Sequence, residues 1–498
     1  MDMEYELPTH QDILFAYQQG KEAMVKLVDR QSQIIIGLAQ RVAALENRIA
    51  KNSSNSNKPP ATDGYQKQQR TQSLRKKSGR KPGGQIGHKG NTLQQVENPD
   101  QIIKYPVLLC QTCCCDLSAV TVESVEKRQV FDIPKIKIIV TEHRAEKKRC
   151  PDCGEVTMGD FPEHVTQQTQ YGCRIKTQAA YFYSGQFTSL QRTQQTLYDL
   201  YGVRMNETTI LTAQQDMQAK VSPVVSLIKY FLTYLSPVDH FDETGVRIAG
   251  KLQWLHSIST PLLTYYQTHR KRGQSAMEEI GILPHFTGKA IHDEWASYFS
   301  YQCAHGNCNA HHLRELRYIH ERYHQGWAKR MVKLLLAMKR TVALAKKDGM
   351  QALPRDKLTE FSLAYDNVLS VGFTENPIYP PLHKHRGRVK HTEPQNLLLR
   401  LQKYKQETIL FAYDFSVAFD NNQAERDIRM AKLKQKISGC FRTEKNAQVF
   451  CDIRSYISTV RKHCHDVLSA LESLSTGIPY VPETLVGINM PLALPRAM

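Results

Sequence analysis

Val238-Asp239-His240-Phe241-Asp242-Glu243-Thr244-Gly245 places an apolar-flanked acid, Asp242, before a glycine that reads as a turn. Val246 and Ile248 then resume the alternation of a strand. Gly250-Lys251 makes a hairpin turn into Leu252-Gln253-Trp254-Leu255-His256-Ser257-Ile258, and Ser259-Thr260-Pro261 turns the chain again into Leu262-Leu263-Thr264-Tyr265-Tyr266. Ser275 to Leu283 reads as a short helix. Phe286 to Asp293 alternates enough to be extended, and Asp293 ends it.

Strand, strand, strand, helix, strand is the opening order of a ribonuclease-H-like fold, in which acids on the first and fourth strands meet at one end of the sheet. A third acid, Glu425, stands in Asp420-Asn421-Asn422-Gln423-Ala424-Glu425-Arg426, which reads as a helix start. Three carboxylates brought together by a fold suit hard divalent ions such as magnesium or manganese, which prefer oxygen ligands. Two ions about 3.5–4 Å apart activate the attacking oxygen and stabilise the leaving one in phosphoryl transfer. Asp242, Asp293 and Glu425 are therefore the candidate catalytic and metal-binding residues. The neighbouring acids Asp239, Glu243, Glu294, Asp414, Asp420 and Asp427 read as turns, caps or surface groups. Arg426, Arg429, Lys432 and Lys436 follow Glu425, the last three at helical spacings from it, and could contact a DNA backbone, or form a solvated basic face.

At 498 residues the chain has room for about three domains. Its net charge of +18 points to a polyanionic partner, for which DNA is the natural candidate. No apolar span of membrane length and no secretory leader is visible, so no membrane partner is expected and a cytoplasmic, nucleoid-associated location is the default. The twelve cysteines include two CxxC pairs, Cys110/Cys113 and Cys150/Cys153, which suit a structural zinc in a reducing compartment. Cys114 and Cys115 directly follow Cys113 and leave the ligands of the first pair open. Cys303 and Cys308 with His305, His311 and His312 could hint at a second zinc site; a structural role is the preferred reading.

Met24, Val28, Gln31, Ile35, Leu38, Val42, Leu45 and Ile49 form a heptad seam with β-branched residues at a and leucines at d, the pattern of a parallel dimer. A helix packed on its own domain is the alternative. Lys51 to Gly90 reads as a disordered basic connector in which Arg75, Lys76, Lys77, Arg80 and Lys81 could lie along DNA, or serve only as a flexible linker. Between Asp293 and Glu425, runs such as Met331, Leu334, Leu335, Met338, Val342 and Ala345 indicate a helical insertion at about 307–405, whose Lys384 to Lys390 loop could clamp DNA or simply be solvated.

This order of parts resembles the bacterial DDE transposases of the insertion-sequence family numbered sixty-six. The resemblance rests on the zipper, the Arg80-Lys81-Pro82-Gly83-Gly84-Gln85 linker, the cysteine knuckles, Asp242-Glu243-Thr244, the Asp293 segment, Cys308-Asn309-Ala310-His311-His312-Leu313-Arg314, and Asp420-Asn421-Asn422 with Glu425-Arg426. It implies a metal-binding triad at Asp242, Asp293 and Glu425, an approach of His311 and Arg314 to the scissile phosphate, and helper proteins encoded by the same element. The expected fold is a multidomain α/β chain: a coiled-coil helix (1–50), a basic linker (51–100), a zinc module (101–160), a helical DNA-binding or connecting region (161–235), a ribonuclease-H-like core with the insertion (236–455), and a C-terminal helix and tail (456–498). The expected activity is strand cleavage at element ends and strand transfer into target DNA, the partners being terminal repeats, target DNA and a second or further copy of the chain. A non-catalytic zinc-containing DNA-binding regulator, or a nuclease without strand transfer, are the alternatives.

Overall fold

Thr9 opens the first helix by a reciprocal cap: its hydroxyl accepts from the Asp12 N–H at 3.3 Å while the Asp12 carboxylate accepts the Thr9 N–H at 2.7 Å. The helix, α1 (His10–Gln18), is separated from α2 (Lys21–Ala50) by Gly20 at φ +99°. The expected single coiled-coil helix is thus two, and only α2 carries the seam. These assignments come from a computed structural model that describes residues 8–51, 93–134, 136–378 and 391–488. The connector cations Arg75, Lys76, Lys77, Arg80 and Lys81 and the Lys384–Lys390 loop lie outside the described residues.

Two units make up the chain: residues 68–160 form one, and residues 1–67 with 161–498 the other. In the smaller unit, β1 (Lys147–Arg149) pairs antiparallel with β2 (Val156–Met158) around the second CxxC pair. In the larger, α3 (Cys173–Ala180), α4 (Leu190–Tyr201) and α5 (Glu207–Tyr234) precede the sheet. Ala179, Leu197, Met205 and Ile210 give this region a small core of its own.

The sheet contains β3 (Val238–Ile248), β4 (Lys251–Ser259), β5 (Thr264–His269), β6 (Lys289–His292) and β7 (Ala304–Asn307), in the order β5-β4-β3-β6-β7. The hairpin pairs are antiparallel, whereas β6 lies parallel to both β3 and β7. The crossover from β5 to β6 carries α6 (Gln274–Ile280). Two details correct the sequence reading. Gly245 is not a turn: β3 runs straight through it, paired with Trp254 of β4, and a side chain there would meet Leu252 Cδ1 at 2.9 Å across the hairpin. The turn itself is Ala249-Gly250, both at positive φ. The fifth strand, β7, was not anticipated.

Side-chain parity sets the two faces. Phe241, Ile258 and Tyr265 point to one face, where α5, α6 and later helices close a core through Val224, Ile228, Met277 and Ile457. Val246, Ile248, Leu255 and Tyr266 point to the other. Five helices follow β7: α7 (Asn309–Tyr323), α8 (Gly326–Lys347), α9 (Arg355–Glu375), α10 (Glu393–Lys403) and α11 (Lys405–Tyr413). They bury Trp327, Met331, Leu335, Met338, Tyr365 and Leu398 together, so the helical insertion has its own core and extends past 405. The chain then returns through α12 (Asn422–Ser438), α13 (Glu444–Lys462) and α14 (Val467–Ser473). Ile428 and Ala431 of α12 cover the face bearing Val246 and Ile248.

The expected boundary at 455 falls inside α13. This helix belongs to the sheet, because Ser455 Oγ accepts the Tyr266 N–H at 2.9 Å and Thr459 Oγ1 accepts the Thr264 N–H at 3.1 Å. The free edge of β5 is thereby satisfied by side chains instead of another strand. Among the described residues no helix is long and apolar enough to cross a membrane.

Candidate active site and zinc module

Asp242 has the parity of Val246 and Ile248, so it lies on the sheet face that α12 covers. Asp293 follows the last residue of β6, the parallel neighbour of β3, and Glu425 sits in the first turn of α12. The three sequence-predicted acids therefore share one neighbourhood. Burial raises the Asp242 carboxyl well above the ordinary carboxylate range, and the charges of Glu243, Asp293 and Glu425 push it further. Burial also raises Asp293, against the pull of the Trp295 N–H and Arg272.

Asn421 fixes Glu425 relative to the sheet. Its Nδ2 donates to the Phe241 carbonyl at 2.7 Å, its Oδ1 meets His240 Nδ1 at 2.8 Å, and its N–H donates to Cys308 Sγ at 3.1 Å. One buried residue, through its side chain and its backbone N–H, thus joins β3, the start of α7 and the start of α12. The Asp420-Asn421-Asn422 run marked this place in the sequence without revealing its role. His311 Nε2 and Arg314 NH2 lie 3.9 and 3.7 Å from Glu425 Oε1, and Arg429 lies 3.4 Å from Oε2. Burial pushes the His311 imidazole down to about 3, so it is neutral at physiological pH.

Several residues read as surface groups are buried partners of the site. Glu243 accepts from Tyr298 and from Arg272, whose guanidinium lies 4.2 Å from the Trp295 ring and 5.1 Å from the Trp254 ring and reaches Asp293 at 3.8 Å. Glu294, at φ +68°, turns its carboxylate away from Asp293 toward Arg400 of α10, Asn307 and His312. Burial pushes it up to about 7. Asp239 is also buried, accepting from Ser236. Asp414 pairs with Lys289, Asp420 with Lys339 and Asp427 with Lys462. Of the basic residues on α12, Arg426, Arg429 and Lys436 are exposed, whereas Lys432 is half-buried and donates to the Gly245 carbonyl. Lys432 therefore ties α12 to β3.

The acids offer oxygen donors only, and their mutual repulsion is relieved by a bound cation, so the set fits a hard divalent ion. In the smaller unit both CxxC pairs are shaped as knuckles. The Cys110 and Cys150 sulfurs accept N–H bonds from Thr112 and Cys113 and from Asp152 and Cys153, which lowers both thiols. Cys114 at φ +55° fills the left-handed slot that Gly154 fills in the second knuckle, which puts Cys113 at the position of Cys153. Each pair supplies thiolate donors of the kind zinc takes, although among the described residues the two pairs do not gather around one point.

Family models match parts of the chain. A family described as the transposase IS66 family matches residues 168–449, more than half of the chain. The zinc-finger binding domain of transposase IS66 matches residues 109–154, across both knuckles. A family of unknown function matches residues 6–94. No curated protein matches the chain.

Proposed function

The chain belongs to the IS66 family of transposases, and from this premise we propose that it cuts DNA strands at element ends and joins them to target DNA, with Asp242, Asp293 and Glu425 holding the catalytic ions. The observation that carries the reading is the shared electrostatic neighbourhood of three acids from β3, the end of β6 and α12, in which Asp242 feels the charge of both others. The sheet order β5-β4-β3-β6-β7, with a parallel β3–β6 pair, supports a ribonuclease-H-like core.

Magnesium or manganese ions, when bound, would activate the attacking oxygen and stabilise the leaving one. The protein's own part is to hold the acids in register. Asn421 sets α12 against β3, and Arg272 pairs with Glu243 and reaches Asp293. Exposed Arg426, Arg429 and Lys436, with His311 and Arg314 at Glu425, are the groups proposed to position the DNA backbone. Water would attack first and leave a 3′-hydroxyl at the element end. That hydroxyl would then attack a target phosphodiester, exchanging one phosphodiester for another.

The test is cleavage and joining of labelled DNA carrying the element's terminal repeats. Asp242→Asn, Asp293→Asn and Glu425→Gln should each lower cleavage by orders of magnitude while leaving salt-dependent DNA binding in place. Near-parent rates in any of them would remove that residue from the triad. Cleavage without joined product would leave a nuclease.

A further inference from the structure

We propose that Cys308, His311 and Glu425 form a second metal site, for a zinc-type ion, that shares one carboxylate with the all-oxygen site. The sulfur, an imidazole nitrogen and a carboxylate oxygen of these residues all lie within 4.8 Å of one another. In tetrahedral zinc sites the ligand atoms stand ~3.3–3.8 Å apart, as follows from metal–ligand bonds of ~2.0–2.3 Å. Closing the site therefore needs inward movement on the order of 1 Å, within reach of side-chain adjustment.

The scaffold favours it. Cys308 caps α7 and His311 lies three residues on, so both side chains meet at the start of one helix, while Glu425 lies in the first turn of another. The Asn421 N–H bond to Cys308 Sγ holds the two helix starts together. Glu425 Oε1 is buried without a hydrogen-bond partner, which is costly unless something else binds it, and His311 Nε2 faces it at 3.9 Å. Thiolate, neutral imidazole and carboxylate are the ligand chemistry of zinc and a poor match for magnesium, and the two negative ligands balance the ion's charge. The thiol proton leaves to solvent on binding. Arg314 competes for the same Glu425 oxygen and must yield it. The other members of the Cys/His group are engaged elsewhere: His305 bridges His292 and the Tyr301 carbonyl, and His312 faces Glu294 and Thr408.

An ion held here occupies Glu425, so zinc would oppose binding of the catalytic ions. That consequence rests on the catalytic reading of Glu425, whereas the site itself does not. Full-length protein, stripped by chelation, re-equilibrated with zinc and freed of excess, is analysed for zinc per chain by elemental analysis. Cys308→Ser and His311→Gln should each lose about one zinc relative to the parent, and Cys150→Ser should lose the knuckle zinc independently. His311→Gln guards against misfolding of the buried Cys308 variant. Unchanged zinc in both variants would overturn the site, whatever the cleavage assay shows.

Discussion

Asp242 is held protonated above its ordinary value of 3.8, first by burial and then by the charges of Glu243, Asp293 and Glu425. A cation binds only the carboxylate, so between 3.8 and the raised value each ion that binds displaces a proton. Manganese affinity therefore rises with pH through that window and levels off above it. Glu243→Gln removes the largest of these charge effects, so the binding profile read by manganese electron paramagnetic resonance should move to lower pH; an unmoved profile would remove Glu243 from the causes. Lys434 poses the opposite problem. Burial pushes its ammonium down to about 8, while the faces of Phe441 at 4.6 Å and Tyr183 at 4.8 Å favour the charged form. Below about 8 the folded chain keeps this charge buried at a cost that the aromatic faces only partly offset. Lys434→Met should thus be neutral or stabilising at pH 7, and Lys434→Ala should lose about 2–5 kcal/mol to a cavity. Urea denaturation checks the order, and a destabilised Met variant would show that the charge itself is needed.

Helices α7 and α10 of the insertion reach the end of the sheet that bears Asp293 through one ionic cluster, Arg400 with Glu315 and Glu294. Arg400→Ala would leave Glu294 buried without its cation and push its carboxyl, already raised to about 7, further up, so the variant should be destabilised, and more so as pH rises. Glu294→Gln in the same chain should recover much of that loss, and thermal unfolding of the single and double variants measures it; additive losses would break the coupling. This cluster was invisible in the sequence because its members lie far apart along the chain, and Glu294 looks like any acid beside a strand. The hairpins and the Glu425 helix were legible, since alternation, turn residues and caps are local signals. Gly245 was misread because its setting, paired with Trp254 and close to the Leu252 side chain, is formed across the hairpin. Strand β7, Ala304-His305-Gly306-Asn307, has no apolar alternation and exists through its parallel pairing with β6. The reach of α13 past 455 was missed for a similar reason: Ser455 and Thr459 are polar, yet buried against the β5 edge.

At the scale of the whole molecule, most of the heptad seam of α2 is exposed, with Met24 and Gln31 half-buried. Val28, Ile35, Leu38, Val42, Leu45 and Ile49 are all exposed, Ile49 at 84%. The last turn of α2 is nevertheless anchored, because Arg322 of α7 bonds Glu46 and Asn47 at 2.8 and 2.9 Å, Asn47 donates to Tyr323 at 3.1 Å, and Lys51 pairs with Glu393. These anchors are polar and sit at the helix end, so they leave the seam open along its length. A second copy of the chain would cover it with the same β-branched and leucine positions, as a parallel two-stranded coil requires. Burying each such side chain is worth about 1.5–3 kcal/mol, and a charge placed at an a position forfeits it on both strands. Ile35→Glu with Val42→Glu should therefore weaken dimerisation by at least about 100-fold. The same change should leave unfolding of the catalytic unit unaltered, because neither side chain packs on it. Deleting residues 1–50 should shift the mass seen by light scattering toward the monomer and weaken joint binding of two DNA ends. A variant whose mass stays with the parent's would show that the seam is not what holds copies together.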